Sequence, residues 1–174
     1  MAANKGLMIG LVFALLVAWA FLMVAATDGP YTGWFKFRTS ATITAEAGWK
    51  GYVVCDGNYN NCGSGTDYQS GTCYTDGMKA AGAFTIIAIV FGFAVLVSAF
   101  MTAFQLGPPF YHFNKGTMAM AFATSVFALL AWTVALGRVF HCTDPYPDVD
   151  YSPPFLIVAQ VIYLVVGIMH FFQE

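Results

Sequence analysis

The chain has 174 residues, 59% of them hydrophobic and only 9% charged, with a formal net charge of -2 and a mean hydropathy of +0.67. Water-soluble domains carry about 25% charged residues, so a water-facing surface cannot be assembled from this composition, and lipid must solvate most of it. No Lys/Arg-rich run could follow a phosphate backbone, which leaves no footing for a nucleic-acid partner.

Taken in chain order, the first element is an uncharged run over 6–26. Its 21 residues would rise about 31 Å as a helix, enough to cross the hydrocarbon core. Val24-Ala25-Ala26 has the small residues of a signal-peptidase site. The apolar run exceeds the roughly 7–15 residues of a signal core, however, and we read it as a retained span. A long first loop, 27–79, follows. It holds Trp34, Phe35, Phe37, Trp49, Tyr52, Val53 and Val54. Residues 34–44 alternate in part, 51–55 read as a second short strand, and the Gly/Asn/Ser/Thr-rich remainder reads as turns. A small sheet on the membrane surface is expected, and a lone hairpin would need support. The second span is 80–106, the short second loop 107–116, and the third span 117–137, with Arg138 just beyond it. The third loop is 139–153. The fourth span, 154–172, opens at Pro153-Pro154, where a first helical turn loses no hydrogen bond to proline. Backbone in lipid must satisfy itself, so each span is helical.

The expected fold class is therefore all-α membrane: one tetraspan domain over 1–174, a four-transmembrane-helix bundle with a small β-containing extramembrane cap from the first loop. An even number of spans puts both termini on the side of the short loop, opposite loops one and three.

The four cysteines, Cys55, Cys62, Cys73 and Cys142, all fall on loops one and three, as an oxidising compartment on that side would explain. Four cysteines allow three pairings. Cys55 with Cys62, closing a local loop, and Cys73 with Cys142, tying loop one to loop three, are the most plausible pairs. Each bridge contributes about 2–4 kcal/mol in the loop-entropy picture. Zinc is disfavoured by the Cys55–Cys62 spacing, which lies outside C-x2-4-C. The positive-inside rule points the other way, because Lys36, Arg38, Lys50, Lys79 and Arg138 lie on the cysteine side and only Lys5 and Lys115 opposite.

Trp34, then Lys50-Gly51-Tyr52-Val53-Val54-Cys55, then Cys62, followed by Met78-Lys79-Ala80-Ala81-Gly82-Ala83-Phe84 at the start of span two, resembles the claudin-like tetraspans, a superfamily that includes claudins, peripheral myelin proteins and the amastins. The family pattern is Trp, then G-L-W-x-x-C, then a second Cys. Tyr52 stands at the second Trp, Gly51 at the Leu and Lys50 at the Gly, while Gly82 replaces an Arg. Cys73 and Cys142 have no counterpart. The resemblance spans the whole topology and implies the architecture, with Trp34, Trp49, Gly51 and Tyr52 as structural or interaction residues of the first loop. It does not carry over paracellular pore formation, since the charged pore residues have no matching positions here.

Candidates for chemistry are sparse. Gln160 lies inside span four, where bonding to a neighbouring helix is the ordinary role and a solute or quinone contact the functional one. His170 and Arg138 sit near span ends, where snorkelling is easy. His112 lies among Phe110, Tyr111 and Phe113, an aromatic group suited to the headgroup level. His141 with Asp144 lacks a nucleophile. Asp144, Asp148 and Asp150 form an acidic turn that does not match a calcium loop. No catalytic residue, metal ligand or cofactor is expected. Gly6-x3-Gly10, Ala80 to Ala83, and Ala119, Ala121, Ala123 and Ser125 are small residues suited to close helix packing.

These features predict a non-enzymatic membrane protein that packs laterally and docks its stapled loop on partners, either claudin-like at a cell surface or as an accessory subunit of a large complex in a membrane such as an organellar inner membrane. Its partners would be the bilayer and other membrane proteins, with a homo-oligomer as one form. The alternative is a channel or small-solute carrier with a hydrated path past Gln160, Thr85 and Ser98.

Overall fold

A computed structural model of the chain describes residues 5–27, 34–40, 43–48, 52–56, 62–65, 73–104, 106, 111–142, 148–149 and 152–171. Four long helices carry the fold: α1 (Lys5–Ala25), α2 (Cys73–Ala103), α3 (Tyr111–Cys142) and α4 (Ser152–Phe171). Each contains a segment long and apolar enough to cross a membrane: Gly6–Ala25, Asp76–Ala103, Lys115–Arg138 and Ser152–Phe171. Contacts run from α1 to α2, α2 to α3, α3 to α4 and α4 back to α1, so the helices form a closed ring whose most extensive seam is α2–α3.

Two helices are longer than the uncharged runs implied. α2 starts at Cys73 rather than at 80, and α3 takes in 111–116 of the expected short loop and 139–142 of the expected third loop. A charged residue does not by itself end a helix. A helix already nucleated extends at little cost past the lipid edge, and Asp76 in the first turn of α2 complements that helix's positive end. Cys73 and Cys142 are therefore helix ends rather than loop residues, and His112 belongs to α3.

The packing seam is written in heptads. Buried positions recur three and four residues apart: Met8, Leu11, Leu15, Ala18, Leu22 and Ala25 on α1; Met78, Ala81, Thr85, Ala88, Gly92, Val95 and Ala99 on α2; Thr117, Ala121, Thr124, Ala128, Ala131 and Ala135 on α3; Leu156, Ala159, Tyr163, Val166 and His170 on α4. This is the spacing of knobs-into-holes bundles. Among the described residues, eleven of the twenty-two buried hydrophobics are alanine, while Phe13 (65% exposed), Val90 (63%) and Phe93 (51%) point outward. A water-soluble bundle hides its large apolar side chains, whereas here small ones line the seam and large ones face out. Lipid rewards that arrangement, because small residues let helices approach closely and large apolar ones cost nothing outside. Gly6 and Gly10 do not join the seam. Both are exposed, and a Cβ at Gly10 would meet nothing within 4 Å.

Between α1 and α2 the chain forms β1 (Phe35–Ser40), β2 (Ile43–Ala47), β3 (Tyr52–Asp56) and β4 (Cys62–Gly65); β5 (Asp148–Val149) comes from the α3–α4 connection. They pair antiparallel in the order β4-β3-β2-β1-β5. The expected single stretch over 34–44 is thus two strands, and part of the expected turn region, Cys62–Gly65, is a third partner for what was read as a hairpin. Because β1 pairs with β5, Phe35 opposite Val149 and Lys36 opposite Asp148, the first and third connections meet at one end of the bundle.

Candidate functional site

The site begins where α1 ends. The last carbonyls of a helix lack intrahelical partners. Trp34 supplies one, its indole Nε1–H donating to the Ala25 carbonyl at 2.9 Å while its ring is fully buried. Phe35, the first residue of β1, is also fully buried. The chain thus returns to the foot of α1 before entering the sheet. Tyr52 opens β3, opposite Ala47 of β2 and Gly65 of β4. Trp49 and Gly51 lie outside the described residues.

The backbone brings the four cysteines together in twos. Cys55 and Cys62 are register partners across β3 and β4. Cys73 is the first residue of α2 and Cys142 the last of α3. Two contacts set the register of those antiparallel helices. Ser98 and Thr117 share a hydrogen bond between their hydroxyls near the short-loop end. At the other end Gly77 is so close to Arg138 that a Cβ there would overlap the Cβ and Cγ of the arginine. Cys73 lies one turn before Gly77, and Cys142 one turn after Arg138, so both stand at the same level of the seam.

Several polar groups within the helices bond other helices or their own backbone. Gln160 accepts a hydrogen bond from Trp132 Nε1 at 2.8 Å, joining α4 to α3. Thr85 donates to the Ala81 carbonyl and Thr124 to that of Met120. Trp19 Nε1 on α1 reaches the Ile89 carbonyl on α2 at 3.3 Å. Of the three residues of the expected hydrated path, Thr85 and Ser98 lie about 20 Å apart along α2, and Gln160 is on α4, bonded to Trp132. Two buried polar atoms, Tyr163 Oη and His170 Nε2, have no hydrogen-bond partner among the described residues, and Tyr163 is the larger of the two side chains. It is fully buried, and it presses on Gly92, where an added Cβ would lie 2.6 Å from Oη. Sequence reasoning passed over Tyr163; its place in the heptad run Leu156, Ala159, Tyr163, Val166 was the available signal.

Among the described residues no group of three His, Cys, Asp or Glu side chains could hold a metal ion. Asp144 and Asp150 lie outside the described residues, and Asp148 is in β5. No protein-family model matches the chain, and a search of curated proteins finds no match.

Proposed function

We propose that the chain is a non-enzymatic structural and interaction protein of a membrane, in which the helical ring is the anchor and the sheet formed by its first loop is an extramembrane docking cap. The observation that carries this reading is the double juxtaposition of cysteines. The strand register sets Cys55 against Cys62, and the α2–α3 register sets Cys73 level with Cys142. Bridges in those positions would hold the outer strand β4 to β3 and lock the mouth of the α2–α3 seam. A loop stapled at its edge and its root keeps one shape, as a surface recognised by another protein must. The tie from Trp34 to Ala25 gives the same loop a fixed seat on the bundle, and it gives a structural role to the tryptophan through which the sequence resembles the claudin-like and amastin-like tetraspans. An accessory place in a large membrane complex and a claudin-like place at a cell surface both use this cap, with the termini on the opposite side of the membrane.

Two measurements test the proposal. Non-reducing peptide mapping should find Cys55 joined to Cys62 and Cys73 to Cys142, and Cys73→Ser should cost about 2–4 kcal/mol of unfolding free energy. Extraction in mild detergent followed by native sizing should find the chain in a larger assembly that Cys55→Ser weakens. Free thiols at all four positions, or a lone monomeric particle, would sink it.

A further inference from the structure

The outer side of the α2–α3 seam, at the end opposite the cysteines, carries a groove of about 580 Å³ lined by Phe93, Ala94, Val97, Ser98, Met101, Gly116 and Met120. Its volume is that of small-molecule sites. Among the described residues its walls are apolar apart from Ser98, whose hydroxyl is bonded to that of Thr117. Gly116 leaves its part of the groove open: a Cβ there would meet nothing within 4 Å. From Met101 to Phe93 the groove descends about 12 Å along α2. Both walls belong to segments able to cross the membrane, so it opens on lipid rather than on water. At its upper end the residue next to Gly116 is Lys115, exposed and the first residue of the membrane-capable part of α3. An apolar slot running down from a cation at the level of the lipid phosphates has the shape and polarity of an anionic amphiphile.

We propose that this groove is a binding site for an anionic glycerophospholipid, one acyl chain lying over Phe93, Val97 and Met120 and the phosphate pairing with Lys115. The hydroxyl pair Ser98–Thr117 lies just below Lys115 in sequence and register, buried and bonded to itself at the back of the groove. The bound chain fills the gap left at Gly116 and packs the short-loop end of the seam.

Native mass spectrometry of the detergent-purified protein, with phosphatidylglycerol and phosphatidylcholine of identical chains added in turn, tests this. One phosphatidylglycerol should be retained about fivefold better than phosphatidylcholine, the factor matching about 1 kcal/mol for one lysine near an anionic surface. Lys115→Gln should abolish that preference. Gly116→Leu, and independently Met120→Trp, should block the groove and remove both lipids from this site, while Gly10→Leu on the outer face of α1 leaves binding unchanged. Equal retention of the two lipids by the wild-type chain, unchanged binding in both groove variants, or cholesterol displacing phosphatidylglycerol from the groove would overturn the proposal.

Discussion

The two seams that hold α2 differ in kind. Toward α3 it is fastened along its length: Gly77 receives Arg138 at one end, Ser98 bonds Thr117 at the other, and between them Phe127 stacks between Phe84 and Phe91 with ring centroids 6.3 and 5.8 Å away. Toward α1 the contacts among the described residues include Trp19 to the Ile89 carbonyl and a tilted ring pair, Trp19 with Phe93 at 5.6 Å. In lipid, helices gain nothing from burying apolar surface as such, so close approach and hydrogen bonds decide cohesion. The α2–α3 pair is built as a unit, and α1 is laid against it.

The largest expected effect breaks the tight seam directly. Gly77→Leu forces side chain into Arg138 next to its backbone and should destabilise the bundle by about 1–3 kcal/mol, the usual range for overpacking, whereas Gly10→Leu on the open face of α1 should stay within about 0.5 kcal/mol. Denaturant titration of the purified protein compares the two, and equal losses would erase the distinction between seams. Next in size is Gly92→Ala, whose Cβ would sit 2.6 Å from Tyr163 Oη and 3.0 Å from Cζ. A loss of about 1–2 kcal/mol is expected, and part of it should return in the double variant with Tyr163→Phe, which removes an unpartnered buried hydroxyl. No recovery would mean that Tyr163 yields by moving as a whole. The smallest effect is Ser98→Ala, about 0.6 kcal/mol with a ceiling of about 1.7 by analogy with other interhelical hydrogen bonds in bilayers, read from the same titration. A loss above that ceiling would show the hydroxyl pair serving more than the seam.

What could be read from the chain follows the same division. The four spans stand out because lipid tolerates so few charges, and runs of 20 or more residues without any are conspicuous. Their ends do not, because Asp76, Lys79 and Arg138 sit on helices that continue past the membrane edge. Of the small residues singled out on α3, Ala121 and Ser125 are buried in the seam, whereas Ala119 is exposed and Ala123 half-buried. Gly6-x3-Gly10 looked equally good and yet faces outward, since spacing alone does not say which side of a helix meets a neighbour. The strand Cys62–Gly65 could not be seen, because CGSG has no β-forming residue and is held by pairing with β3 rather than by propensity. At the candidate site Trp34 was singled out by its place in a family pattern, but that its indole would hold the end of α1 is a tertiary fact with no local signature.

That indole has a mechanical meaning. The bond from Trp34 to Ala25 bridges nine positions of chain, so the end of the first helix and the start of the first strand are joined through a side chain. When α1 retilts to match a thicker or thinner bilayer, the torque is delivered through that link to β1, and through the ladder to every strand beyond it. With Trp19, Trp49 and Trp132 replaced by Phe, the fluorescence of Trp34 should therefore register membrane thickness and strand movement together.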